Sequence, residues 1–118
     1  MTPEEMKQRT KTYALRVIRV VQALPRDDVA RELGNQLLRA GTSVGANYRA
    51  VCRGKSLADF INKLKIVEEE CDESLYWMEL LVEGGLVPAP RLAPLQQEGS
   101  EILAIVVASL RTARKGQS

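Results

Sequence analysis

The stretch Arg39-Ala40-Gly41-Thr42-Ser43-Val44-Gly45-Ala46-Asn47-Tyr48 decides the fold. Gly41 could end one helix and Thr42 or Ser43 could cap the next, which is ordinary chemistry for those residue types. The apolar phase argues otherwise. At about 100° per residue, Ala30, Leu33 and Leu37 before Gly41 share one face with Val44, Tyr48 and Val51 after it, whereas a break usually resets the phase. The stretch is therefore predicted to lie inside one helix, capped by Asp27 or Asp28 and spanning about residues 28–53.

Three glycines inside that helix, Gly34, Gly41 and Gly45, would cost roughly 3 kcal/mol relative to alanine, so a compensating contact is expected. Spacings of seven and four put them in one lane, continued by Cys52, along which a neighbouring helix can approach closely. A phosphate-cradling glycine loop would need a strand before it and Lys-Ser/Thr after it, and neither is present.

Flanking segments extend the pattern. Thr2-Pro3-Glu4-Glu5 reads as a cap, a proline in the first turn and a capping-box glutamate. It opens a helix over about 3–24 with the stripe Met6, Thr10, Tyr13, Val17, Val20, Leu24, widened by Ala14, Ile18 and Val21. Pro25 stops it. Gly54 suits a helix end, and Ser56-Leu57-Ala58-Asp59 is a near capping box opening a third helix over 57–83. The core stripe expected there is Leu57, Phe60, Leu64, Val67, Cys71, Leu75, Met78 and Val82, closed by Gly84-Gly85. After Val87-Pro88-Ala89-Pro90, a fourth helix is expected over about 92–114, starting between Arg91 and Leu95, with Leu92, Leu95, Gly99, Ile102, Val106 and Leu110 on one side. Four helices with short connections predict a single all-α domain over residues 1–118, an antiparallel up-down-up-down four-helix bundle.

Composition narrows the chemistry. The 118 residues include no histidine, which excludes Ser-His-Asp and Cys-His catalysis, histidine zinc sites, the Glu-x-x-His di-iron bundle and a histidine pH switch. Enzymes built on carboxylates, lysine or serine remain open. The net charge of +2 is a cancellation: residues 1–55 hold eleven Lys/Arg against five Asp/Glu, and residues 56–86 hold two against eight. The acidic, polar start is unlike a secretion signal, and the apolar run Ile102–Ala108 is far short of the roughly 20 residues that span a bilayer. Two cysteines then read as reduced thiols in the cytoplasm, and both Cys52 and Cys71 are expected to face the core. Glu68-Glu69-Glu70-Cys71-Asp72-Glu73 crowds five acids into six residues, but a helix scatters them around its surface, so a salt-bridged or solvated face is expected rather than a metal site; no cofactor is predicted.

Two surfaces stand out. Arg31, Arg39, Arg49 and Arg53 lie on the second helix away from its apolar stripe, with Lys55 extending the set into the turn. Such a row can neutralise nucleic-acid phosphates, or pair with the acidic third helix of another subunit. With five aromatics in the chain, base stacking is a poor route, so any binding would be led by the backbone and sensitive to salt. On the third helix, Ile66, Trp77, Leu80 and Leu81 sit among acids opposite the expected core stripe, with Glu69 and Glu73 beside them. That is more apolar surface than one bundle buries, and it predicts self-association.

The segment Arg39-Ala40-Gly41-Thr42-Ser43-Val44-Gly45-Ala46-Asn47-Tyr48-Arg49-Ala50, continuing through Cys52-Arg53-Gly54-Lys55-Ser56, Asp59-Phe60-Ile61 and Lys63-Leu64, resembles the four-helix bundle proteins related to those encoded in 23S ribosomal RNA intervening sequences. Ile66-Val67-Glu68-Glu69-Glu70 and Asp72-Glu73-Ser74-Leu75-Tyr76-Trp77-Met78-Glu79-Leu80-Leu81 carry the resemblance through the third helix. It implies an antiparallel four-helix bundle and, from related members, a homopentamer; no catalytic residues are established in that family. The chain is also similar to the accessory variability determinant bundles of retroelements, which bind nucleic acid through a basic surface on a pentamer. The sequence thus predicts a cytoplasmic, non-enzymatic homo-oligomer that binds RNA or DNA by the phosphate backbone, with a protein-interaction scaffold as the alternative and neither a membrane nor a small-molecule substrate as partner.

Overall fold

A computed structural model describes residues 1–117. They form four helices and no strand: α1 (Pro3–Gln22), α2 (Asp28–Val51), α3 (Leu57–Glu83) and α4 (Ala89–Lys115). The molecule measures 49 × 21 × 19 Å, one long helix in length and two helices in width. α2 is continuous through Gly41-Thr42-Ser43, as its phase requires, and Thr42 and Ser43 return their hydroxyls to the Leu38 and Arg39 carbonyls instead of capping a new helix.

The termini use the expected residues. Thr2 Oγ1 accepts from the Glu5 amide at 3.1 Å, Asp27 from Ala30 at 3.0 Å and Ser56 from Asp59 at 3.1 Å. The Asp59 carboxylate reaches one residue further back than in a capping box, accepting from the Lys55 amide at 3.0 Å. Backbone bonds from Gly85 to Val82 and from Leu86 to Leu81, with Gly85 at φ 77°, end α3 in a Schellman motif. Three boundaries differ from the sequence expectation. α2 ends at Val51 and not near Arg53, because the Arg53 and Gly54 amides turn back on the Ala50 and Val51 carbonyls. α1 ends at Gln22 because Ala23 and Leu24 turn back on Arg19, Val20 and Val21 before Pro25. α4 begins at Ala89, since Pro90 falls in the first turn where a missing N–H costs little. Pro94 does remove one helical bond, and the burial of Leu92 and Leu95 holds the turn in place.

α2 packs on α1 and α3, α3 packs on α4, and a thinner seam between α1 and α4 closes the bundle. The glycine lane does what its spacing implied. A Cβ on Gly34 would meet Leu24 and Val21, one on Gly41 would meet Val17, and one on Gly45 would meet Thr10, so α1 lies directly over the lane. Gly99 gives the same close approach on α4, against Leu75 and the Tyr13 hydroxyl. Among the described residues every buried side-chain nitrogen and oxygen has a partner. The centre holds Tyr13 and Ser74, fully buried, with their oxygens 2.8 Å apart. Ser74 gives its only proton to the Cys71 carbonyl at 2.6 Å, so Tyr13 is the donor between them.

The buried face of α3 is Ile61, Leu64, Val67, Cys71, Ser74, Met78 and Leu81. Of the stripe expected from the sequence, Phe60, Leu75 and Val82 lie half-buried on one flank, and Leu57 is exposed. The face is rotated because α3 is wedged between α2 and α4 and buries a wide arc, whose midline can include Ser74 once its hydroxyl is satisfied by its own helix. Leu81, expected on the outer surface, is fully buried in that arc. Cys52, expected in the core, is exposed: its backbone is still helical, with its N–H on the Tyr48 carbonyl, but it lies two turns beyond Gly45, which already faces Thr10, so the lane there runs out past the start of α1 at Pro3. Cys71 is buried, its thiol donating to the Gly99 carbonyl at 3.4 Å, and burial pushes its pKa up to about 12, which keeps it neutral.

Candidate nucleic-acid interface

Where α1 crosses the glycine lane, both helices present cations to one groove. The i,i+4 pair Lys7 and Lys11 rises from α1, Arg49 rises from the last turn of α2, and Arg53 extends from the turn that follows it. Between them the groove, of about 340 Å³, is lined by Ala14, Thr42, Gly45 and Ala46, side chains too small to fill it. Its floor is tight: a Cβ on Gly45 would come within 3.2 Å of Thr10 Oγ1, so the backbones meet there and the long cationic side chains form the rims. No carboxylate lines the groove. Lys7 bonds the exposed Glu4 at 3.1 Å, while Lys11, Arg49 and Arg53 have no ion-pair partner among the described residues.

The five cations expected to act together are thus divided. Arg49 and Arg53 share the groove. Arg31 lies about 27 Å from Arg49 along α2 and pairs with Asp28 at 2.6 Å. Arg39 is committed to α3 of its own chain: it bonds Glu70 at 3.1 Å and also Glu73, whose hydrogen bond is the main cause of a raised Arg39 pKa, followed by the charge of Glu70. Pairing with the acidic helix therefore occurs within the subunit at this position. Lys55 sits in the turn after α2 and contributes its backbone N–H to Asp59.

The residues expected at an oligomer interface also separate. Ile66 and Glu69 are exposed on α3. Glu73 accepts from Arg39 and, at 3.4 Å, from the Trp77 indole N–H. Trp77 and Leu80 are half-buried, Trp77 packing against the core and against the edge of the exposed Tyr76 ring at 5.2 Å. Leu81 belongs to the core. A second groove of about 260 Å³ joins Glu68, Glu69 and Asp72 of α3 to Leu103 and Val107 of α4, carrying charge of the opposite sign on the other helix pair.

Lys7 and Lys11 were not among the residues singled out from the sequence. Their signal is present there as a lysine pair one turn apart on the polar face of α1. What the sequence does not display is that the lane Gly34-Gly41-Gly45 brings this pair alongside Arg49 and Arg53.

Among the described residues no group of three or more acidic or cysteine side chains is placed to hold a metal ion, and no helix is long and apolar enough to cross a membrane. The fold and the groove define an all-α four-helix bundle with one basic inter-helix surface. Residues 4–108 match the family described as 23S rRNA-intervening sequence protein, and the chain belongs to that family. It is similar, at 30% identity and a TM-score of 0.87, to the crystal structure of a protein of unknown function from the S23 ribosomal protein family of Bacteroides thetaiotaomicron, over 94% of this chain and 99% of that one. No curated protein matches the sequence significantly.

Proposed function

We propose that the protein is a non-enzymatic, cytoplasmic nucleic-acid-binding homo-oligomer, a pentamer of antiparallel up-down-up-down bundles, whose basic groove between α1 and α2 engages backbone phosphates. The observation that carries this reading is the convergence of Lys7, Lys11, Arg49 and Arg53 on one concave surface without a lining carboxylate. Three of these cations are left without an intramolecular partner, which a fold rich in acids would not require. Membership in a family described by a ribosomal RNA intervening sequence is consistent with a polyanionic partner. Self-association is assigned to the outer face of α3 around Ile66 and Glu69, on the side of the bundle that leaves the α1/α2 groove open.

Gel retardation of RNA and DNA at two salt concentrations tests the reading. The protein should shift both at low salt and lose them at high salt, because releasing counterions from several phosphates makes affinity fall steeply with salt. The double variant Arg49→Glu/Arg53→Glu should lose the shift and keep its oligomeric mass. Retained binding, or loss of the oligomer together with binding, would favour an interaction scaffold instead.

A further inference from the structure

We infer that the α1/α2 groove takes a single nucleic-acid strand, seating its phosphodiester backbone on the small-residue floor, and that it discriminates against duplex. This inference rests on the nucleic-acid reading above. Lys7 and Lys11 stand one helical turn apart, about 6 Å along α1, and Arg49 in the last turn of α2 is followed by Arg53 in the turn beyond it, so each rim carries two successive cations along the groove. That separation is comparable with the step between neighbouring phosphates of one strand, and the facing rims can hold the same phosphates from both sides.

The width of the groove makes the choice. Packed helix axes lie roughly 8–10 Å apart, so the groove between them is narrower than a B-form duplex, whose major groove alone is about 12 Å wide. A duplex is a convex rod, so it would rest on the rim cations and leave the floor unused. An isolated backbone can descend to Gly45 and Ala46, where all four cations reach it. No aromatic side chain lines the groove, so bases receive no stacking platform and are left facing solvent. Binding is therefore indifferent to sequence, and RNA and DNA single strands bind alike through their shared phosphates.

Fluorescence anisotropy with labelled oligo(rU), oligo(dT) and a blunt duplex of equal length tests this, using the wild type and Ala46→Leu. Ala46 is exposed, and leucine is a strong helix former, so this variant fills the floor without removing charge; an unchanged melting curve checks its fold. The expected result is tighter binding of both single strands than of duplex, and a roughly tenfold rise in Kd for single strands in Ala46→Leu with duplex affinity unchanged. Equal affinity for duplex, or single-strand binding untouched by Ala46→Leu, overturns the inference and leaves the nucleic-acid reading standing. Failure of every probe to bind at low salt overturns both.

Discussion

Val17 sets what Gly41 can become. A Cβ at Gly41 would lie 2.8 Å from both γ-carbons of Val17, a fully buried side chain with one preferred rotamer in a helix, so the two helices would have to separate. Gly41→Ala should therefore destabilise the fold by about 1–3 kcal/mol despite the better helix propensity of alanine. At Gly34 the obstacle is Leu24 Cδ1 at 2.7 Å, the far end of a flexible, half-buried side chain. Gly34→Ala should be neutral or stabilising by up to about 1 kcal/mol. Urea denaturation of the two variants separates them, and equal effects would contradict a lane whose tightness varies with the residue opposite. At this scale the sequence is highly legible, because glycine spacing states where a neighbour must come close. It does not state which residue comes, and the identities of Val17, Leu24 and Thr10 require the packed structure.

At the scale of the element, the helices were readable from caps and phase, and the errors concern faces. The continuity of α2 follows from the register of Leu37 and Val44, but the buried face of α3 was displaced because period alone does not tell a helix with one neighbour from a helix with two. Leu81 shows the consequence: an apolar side chain beside acids looks like an interface until α2 and α4 are both in place. The thin α1/α4 seam depends on Arg9, whose guanidinium meets Glu98 through two bonds of 2.7 Å and Glu101 at 3.0 Å. The Arg9 hydrogen bond holds the Glu98 pKa below its ordinary 4.5, against an opposing effect of burial. The unfolded chain then binds the proton more readily, so the stabilisation from this pair is complete above about pH 4.5 and is lost as pH falls through the lower folded value. Glu98→Gln should cost about 2 kcal/mol at neutral pH and flatten the acid limb of a stability–pH curve. An acid limb unchanged from wild type would show that the pair does not hold the seam.

For the whole molecule, the sequence reveals a basic half and an acidic helix behind a net charge of +2, and the structure divides those charges by partner. Arg39 pairs with Glu70 and Glu73 inside the subunit, whereas Lys11, Arg49 and Arg53 have no ion-pair partner among the described residues. Half of the candidate groove was legible, the α2 half, because arginines on a known helix face can be projected from sequence. The α1 half was hidden, since the pairing of two polar faces depends on which helices touch. The proposed pentamer, joined through the outer face of α3, predicts that light scattering gives five times the 13.1 kDa chain for the wild type, and a smaller mass for Ile66→Glu. An unchanged mass would move the interface elsewhere. The central claim, that the α1/α2 groove binds nucleic-acid phosphates, is tested most directly by the slope of log K against log salt for a single-stranded probe, wild type beside Lys11→Gln. The predicted result is a negative slope that becomes shallower by about 0.7 when that one cation is removed. A flat salt dependence, or a slope identical in the two proteins, would contradict it.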